Sequence, residues 1–169
     1  MNNKKGFTLM EVVVSIIALA IAGIFILQFY IASSSANARA QAIDFSLAET
    51  ISLVEEIKSS SSADAYTSSN LGVFEQNGIY KYIRLLDKNG GVVPIPASTY
   101  DSTIEQFLSS DDIYYVITVT LEKSTADNID SVEIGELYII TAFANWKKYD
   151  GTVIELINFE TMKYFSSVT

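Results

Sequence analysis

The sequence predicts an α+β fold: one long N-terminal helix packed on a C-terminal antiparallel β-sheet. Three observations predict it. Phe7 to Leu27 is an almost uninterrupted apolar run, apolar residues then recur at spacings of three and four as far as Ile57, and the rest of the chain alternates with period two between Gly-containing turns. At 169 residues the chain fits one domain plus an appendage. Its 49% hydrophobic content is concentrated at the N-terminus, so a lipid-like start precedes an ordinary water-soluble remainder.

Met1 to Lys5 is polar and basic, Gly6 follows, and Phe7 to Leu27 runs 21 residues with one charge, Glu11. As a helix rising about 1.5 Å per residue this covers roughly 30 Å, the hydrocarbon thickness of a bilayer. Lys4 and Lys5 hold the N-terminus in the cytoplasm by the positive-inside bias, which places the chain after Tyr30 outside. Three readings compete. A secretory signal peptide is suggested by Ala36-Asn37-Ala38, but the run exceeds the usual length of about 7 to 15 residues and carries an acid. A plain uncleaved anchor needs Glu11 only to snorkel toward the near interface. The third reading accounts for the acid. A carboxylate costs up to about 3 kcal/mol at the centre of a membrane helix, somewhat less near its end, and so asks for a partner. Cleavage after Gly6 frees an α-amino group on Phe7, which the Glu11 of a staggered neighbouring subunit can meet, fixing axial register.

Lys4-Lys5-Gly6-Phe7-Thr8-Leu9-Met10-Glu11, followed by Val12-Val13-Val14 and a long apolar stretch, closely resembles the prepilin signature of type IV pilins and type II secretion pseudopilins. The resemblance implies cleavage between Gly6 and Phe7 by a prepilin peptidase, N-methylation of Phe7, and a role in assembly for Glu11 and its signature neighbour Thr8. It also implies partners: other pilin subunits, an inner-membrane assembly platform driven by a cytoplasmic ATPase, and membrane lipid before assembly. Many major pilins carry a proline part-way along this helix, whereas here no proline precedes Pro94.

The elements follow in order: a leader over residues 1–6, a transmembrane helix over 7–30, its amphipathic continuation over 31–58, and a β-rich extracytoplasmic domain over 59–169. Ala36, Ala40, Ile43, Leu47, Ile51, Val54 and Ile57 form an apolar stripe expected to face the core, with Gln41, Glu49, Ser52 and Glu56 opposite. Ser33 to Ser35 predicts a bend, and Ser59 to Ser62 predicts the helix end. Gly78 to Leu86 reads as a strand, with Asn89-Gly90-Gly91 turning into Val92 and Val93. Pro94 and Pro96 confine that second segment to an edge or loop. Ile113 to Glu122 is the clearest strand, with Ile113, Tyr115, Ile117, Val119 and Leu121 on one face. Val132 to Trp146, interrupted near Gly135, and Thr152 to Tyr164 form a final hairpin through Lys147 to Gly151. The closing pattern of Trp146, a Gly-containing turn, Val153-Ile154-Glu155-Leu156 and Thr161 resembles the last hairpin of some minor pilins and minor pseudopilins.

Composition removes several functions. Eleven Lys and Arg against 20 Asp and Glu give a net charge of -9, which disfavours nucleic-acid binding by a broad surface. With no histidine and no cysteine, the commonest general base, thiolate metal sites and disulfides are all missing. No phosphate loop, paired-His motif or nucleophile elbow occurs. The adjacent acids Glu55-Glu56 and Asp111-Asp112 read as a solvated helix face and a turn. Asp111, Asp112, Asp127 and Asp130 lack the spacing of a calcium loop. The sequence thus predicts a structural subunit with no catalytic residue, cofactor or metal. The resemblance implies that it is held in the cytoplasmic membrane before it enters a surface filament (pilus or fimbrium), and that it serves as a minor rather than a major pilin. The competing class is an uncleaved, membrane-anchored extracytoplasmic binding or sensor module.

Overall fold

The computed structural model describes residues 8–61, 72–76, 78–95, 104–124 and 135–166. Its contacts divide the chain into two units, one ending at Gln41 and one beginning at Ala42.

Helix α1, Leu9–Ser59, is 51 residues long and runs without interruption through Gly23 and Ser33 to Ser35. The serines do not interrupt the helix. A serine costs only about half a kcal/mol relative to alanine in a helix, too little to break one flanked by good helix formers. From Leu9 to Gln41 every residue is exposed. This includes large apolar side chains such as Leu19, 72% exposed, and Phe29, 79% exposed. The helix is long and apolar enough to cross a membrane.

In the second unit, Ala42 to Ser59 of α1 packs on a six-stranded antiparallel sheet. The strands are β1 (Gly72–Gln76), β2 (Ile79–Leu86), β3 (Val92–Val93), β4 (Tyr115–Lys123), β5 (Gly135–Lys147) and β6 (Val153–Ser166). Their order is β1-β2-β4-β5-β6, with β3 also paired to β2. A short helix α2, Ile104–Ser109, joins β3 to β4. The fold is α+β, and the last two strands pair as a hairpin whose turn contains Gly151 at φ +80°. Strand β1 and helix α2 were not legible in the sequence. Each is short, with only five and six residues to carry a period.

The alternation of β4 assigns its two faces. Tyr115, Ile117, Val119 and Leu121 face α1, where they meet Leu53, Val54, Ile57, Tyr82 and Ile140. On the other face, Val116 joins Ile83, Leu85, Phe107 and Leu108 in a second core under α2. Ile113 belongs to this second core, not to the α1 face its spacing suggested. It precedes β4, so the strand's parity does not extend back to it.

The helix stripe also requires correction. Val54 and Ile57 are buried as expected, but Leu47 is 40% and Ile51 46% exposed, while Ser46 and Thr50 are fully buried. Over Ala42 to Thr50 the inward face lies one residue earlier, while Val54 and Ile57 remain on it, so the helix is turned by less than the roughly 100° of a full residue. Two contacts account for it. The small residues Ala42, Ser46 and Thr50 let the helix approach the sheet, and the Thr50 hydroxyl is satisfied by donating to the Ser46 carbonyl at 2.6 Å. Arg84 on β2 then draws in both acids expected on the solvent side, with Nη1 at 3.3 Å from Glu49 and Nη2 at 3.1 Å from Glu56. Gln41, Ser52 and Glu55 are exposed.

Candidate functional site

The residues that carry the sequence's sharpest signal lie at the start of α1. Thr8 precedes the first helical residue and stands at the N-cap, with Glu11 at the third helical position. The Thr8 backbone N–H donates to Glu11 Oε2 at 3.0 Å, and the Thr8 hydroxyl donates to the same oxygen at 3.2 Å. In return the Glu11 N–H donates to Thr8 Oγ1 at 3.3 Å. This reciprocal arrangement is a capping box, in which two backbone donors with no intrahelical partner are satisfied by side chains. One turn on, the Ser15 hydroxyl donates to the Glu11 carbonyl at 2.7 Å. Around this polar end the surface is apolar: Leu9 is 86%, Met10 71% and Val12 46% exposed.

The geometry answers part of what the sequence left open. A carboxylate at a helix N-terminus is favoured by the unpaired N–H groups and the helix dipole there. Glu11 therefore has a first partner inside its own chain, and the cost of placing it among apolar residues is reduced before any neighbour arrives. Only Oε2 is engaged by Thr8, so Oε1 has no partner among the described residues. The pattern Thr-x-x-Glu ahead of an apolar run was available in the sequence and would have shown the cap. Gly6 and Phe7 lie outside the described residues.

Residues 1–27 match the family model of the prokaryotic N-terminal methylation motif. This stretch is a type IV pilin and pseudopilin signature, and it supports a pilin-like subunit made as a prepilin. No curated protein and no solved structure matches the chain. The methylation motif thus ends inside the exposed apolar part of α1, and the capping box lies within it. Motif and helix together fit membrane anchoring and a surface filament, and the motif points to a structural subunit that meets other pilin subunits and a prepilin peptidase.

Several polar groups of the second unit serve its architecture. Arg84 ties the sheet to two turns of α1. Asp87 accepts backbone hydrogen bonds from Asn89 at 2.7 Å and Gly91 at 2.8 Å, closing the turn before β3. Asp111 lies 3.8 Å from Lys147 and with Asp112 forms the turn ahead of β4. Asp127 and Asp130 lie outside the described residues, among which no group of three His, Cys, Asp or Glu could hold a metal ion. Trp146 is half-buried in β5 opposite Tyr115 and Ile154, a packing residue of the final hairpin. Burial raises the phenol of Tyr115 above its ordinary pKa, with Tyr149 adding to the effect, and its ring sits 5.0 Å from that of Phe45.

Proposed function

We propose that this chain is an assembly subunit, a minor pilin, of a type IV pilus or related filament, and that it performs no catalysis. A prepilin peptidase removes residues 1–6 by cutting between Gly6 and Phe7, and Phe7 is N-methylated. Residues 7–30 hold the subunit in the cytoplasmic membrane, N-terminus inward, with residues 31–58 and the β-rich domain over 59–169 outside. An ATPase-driven inner-membrane platform then transfers it from lipid into the filament, where apolar packing of Phe7 to Leu27 between subunits drives association.

The observation that carries this reading is the pairing of a wholly exposed apolar helix with a single carboxylate at its start. A helix serving only as an anchor uses that acid as a cap, through Oε2, and leaves Oε1 without a partner among the described residues. In a polymer, each mature N-terminus brings a positive amine to the level of the next subunit's Glu11. The Oε1 left over by the capping box is then available to it, while Thr8 holds Oε2. Release of Phe7 as a free amine thereby sets the axial stagger of neighbouring helices.

Intact mass and N-terminal sequencing of the protein extracted from membranes test the reading. The expected mature chain begins at methylated Phe7. Recovery of an intact leader would overturn it in favour of an uncleaved anchor carrying a binding or sensor module, and a start near Arg39 would indicate ordinary secretion.

A further inference from the structure

We infer that the outer edge of β6 is a docking site for an extended segment of another protein in which apolar and basic residues alternate. Strand β6 closes one end of the sheet order and runs 14 residues, Val153–Ser166, with β5 as its sole partner among the described residues. Its second edge therefore presents backbone N–H and C=O groups along its length, a template on which a further strand can pair. Long edges are normally blunted by proline, lysine or repeated bulges. This one has no proline, a single lysine, Lys163, and one bulge near its start, where Leu156 is inserted between Glu155, opposite Asn145, and Ile157, opposite Ala144. The opposite end of the sheet is β1, of only five residues.

Side chains along the edge indicate what would pair there. Phe159 packs toward the α1 core, so Met162 and Tyr164, at the other parity, lie on the face turned away from α1, opposite Ile139 and Leu137. Met162 is 57% and Tyr164 45% exposed, an apolar surface reaching the open edge. Before them along the strand stand Glu155 and Glu160, both exposed and without an ion pair among the described residues. The one cation of the strand, Lys163, sits over the Phe165 ring at 5.9 Å from its centroid. An incoming strand that places Lys or Arg against the free carboxylates and apolar side chains against Met162 and Tyr164 satisfies charge, apolar surface and backbone together. A second copy of this chain is a poorer occupant, because it brings the same net charge of -9 and the same pair of glutamates. This inference is independent of how the N-terminal helix is processed or packed.

The test uses the full chain in zwitterionic lipid nanodiscs, with a short synthetic peptide alternating valine and lysine as probe and its valine–glutamate counterpart as control. Titration by fluorescence anisotropy should give saturable binding of the lysine peptide alone. Glu155→Lys with Glu160→Lys should weaken it about tenfold or more, whereas Glu75→Lys on β1 should leave it unchanged. Amide hydrogen exchange should slow in β6 and not in β1. All three glutamates are exposed, so the variants should keep the wild-type melting curve, which circular dichroism checks. Absence of saturable binding, equal binding of the glutamate peptide, equal protection of β1, or protection of β6 that rises with protein concentration in the absence of peptide would each overturn the inference. The last of these outcomes would identify a second copy as the occupant.

Discussion

At Glu11 one carboxylate has two tasks on the proposed reading: it caps its own helix and awaits a neighbour's amine. Replacing Glu11 with Ala removes both, and the two losses differ in scale. Thr8 Oγ1 still accepts the N–H of residue 11, so losing the carboxylate half of the capping box costs about 1 kcal/mol at most, which frays the first turn without expelling a long apolar helix from lipid. Glu11→Ala should therefore leave the subunit in the membrane fraction while its recovery in sheared filaments falls, and unchanged recovery would remove this account of the residue. Asp150 offers a second residue-level case. Its carboxylate accepts the Thr152 backbone N–H at 2.9 Å, which holds its pKa below the ordinary 3.8. Since the folded form favours the charged state, the acid's contribution to the β5–β6 turn is complete above the ordinary value and is lost as pH falls through the depressed one. The protection of the Thr152 amide, measured against its intrinsic exchange rate at each pH, should fall in that acid range, and Asp150→Asn, which keeps an acceptor oxygen, should abolish this loss of protection.

Along α1, its spacing foretold a helix and its length, whereas the identity of its inward face followed from what the sheet offers. Leu47 and Ile51 obey the apolar spacing yet stay exposed, and Ser46 and Thr50 break it yet are fully buried. Periodicity registers apolar positions without saying which neighbours claim them, and Arg84 claims Glu49 and Glu56. Leu53→Ala should cost about 2–5 kcal/mol by thermal or denaturant unfolding, the range for emptying a buried leucine site. Leu47→Ser should stay within about 0.5 kcal/mol of wild type, because its side chain already meets water. Arg84→Met tests the clamp. Its guanidinium is 11% exposed but its partners are 32% and 42% exposed, so the expected loss is only about 1–2 kcal/mol once solvent screening of the glutamates is allowed for. A stabilised Arg84→Met protein would show that the clamp directs the helix face without contributing to stability.

For the whole molecule, the sheet is most protected where both faces are covered. Val116 and Ile117 on β4 have no exposed surface and belong one to each core, while β1 and β6 form the ends of the sheet. Native-state amide exchange should accordingly be slowest in the middle of β4 and the facing part of β5, faster in β1, and insensitive to reductants because the chain has no cysteine. Equal protection of β1 and β4 would contradict this ranking.

The sequence alone determined what depends on local pattern. The apolar run and its lone acid, the continuation to a helix of 51 residues, the strands now seen as β2, β4, β5 and β6, and the closing hairpin all follow from periodicity and turn chemistry, which act within a few residues. Tertiary structure decided what depends on partners distant in the chain: the rotation of α1 that buries Ser46 and Thr50, the reach of Arg84 across 28 and 35 residues to Glu56 and Glu49, and the assignment of Ile113 to the core beneath α2. A residue's period states where it can point, and the element that arrives opposite determines whether that direction is core, ion pair or solvent.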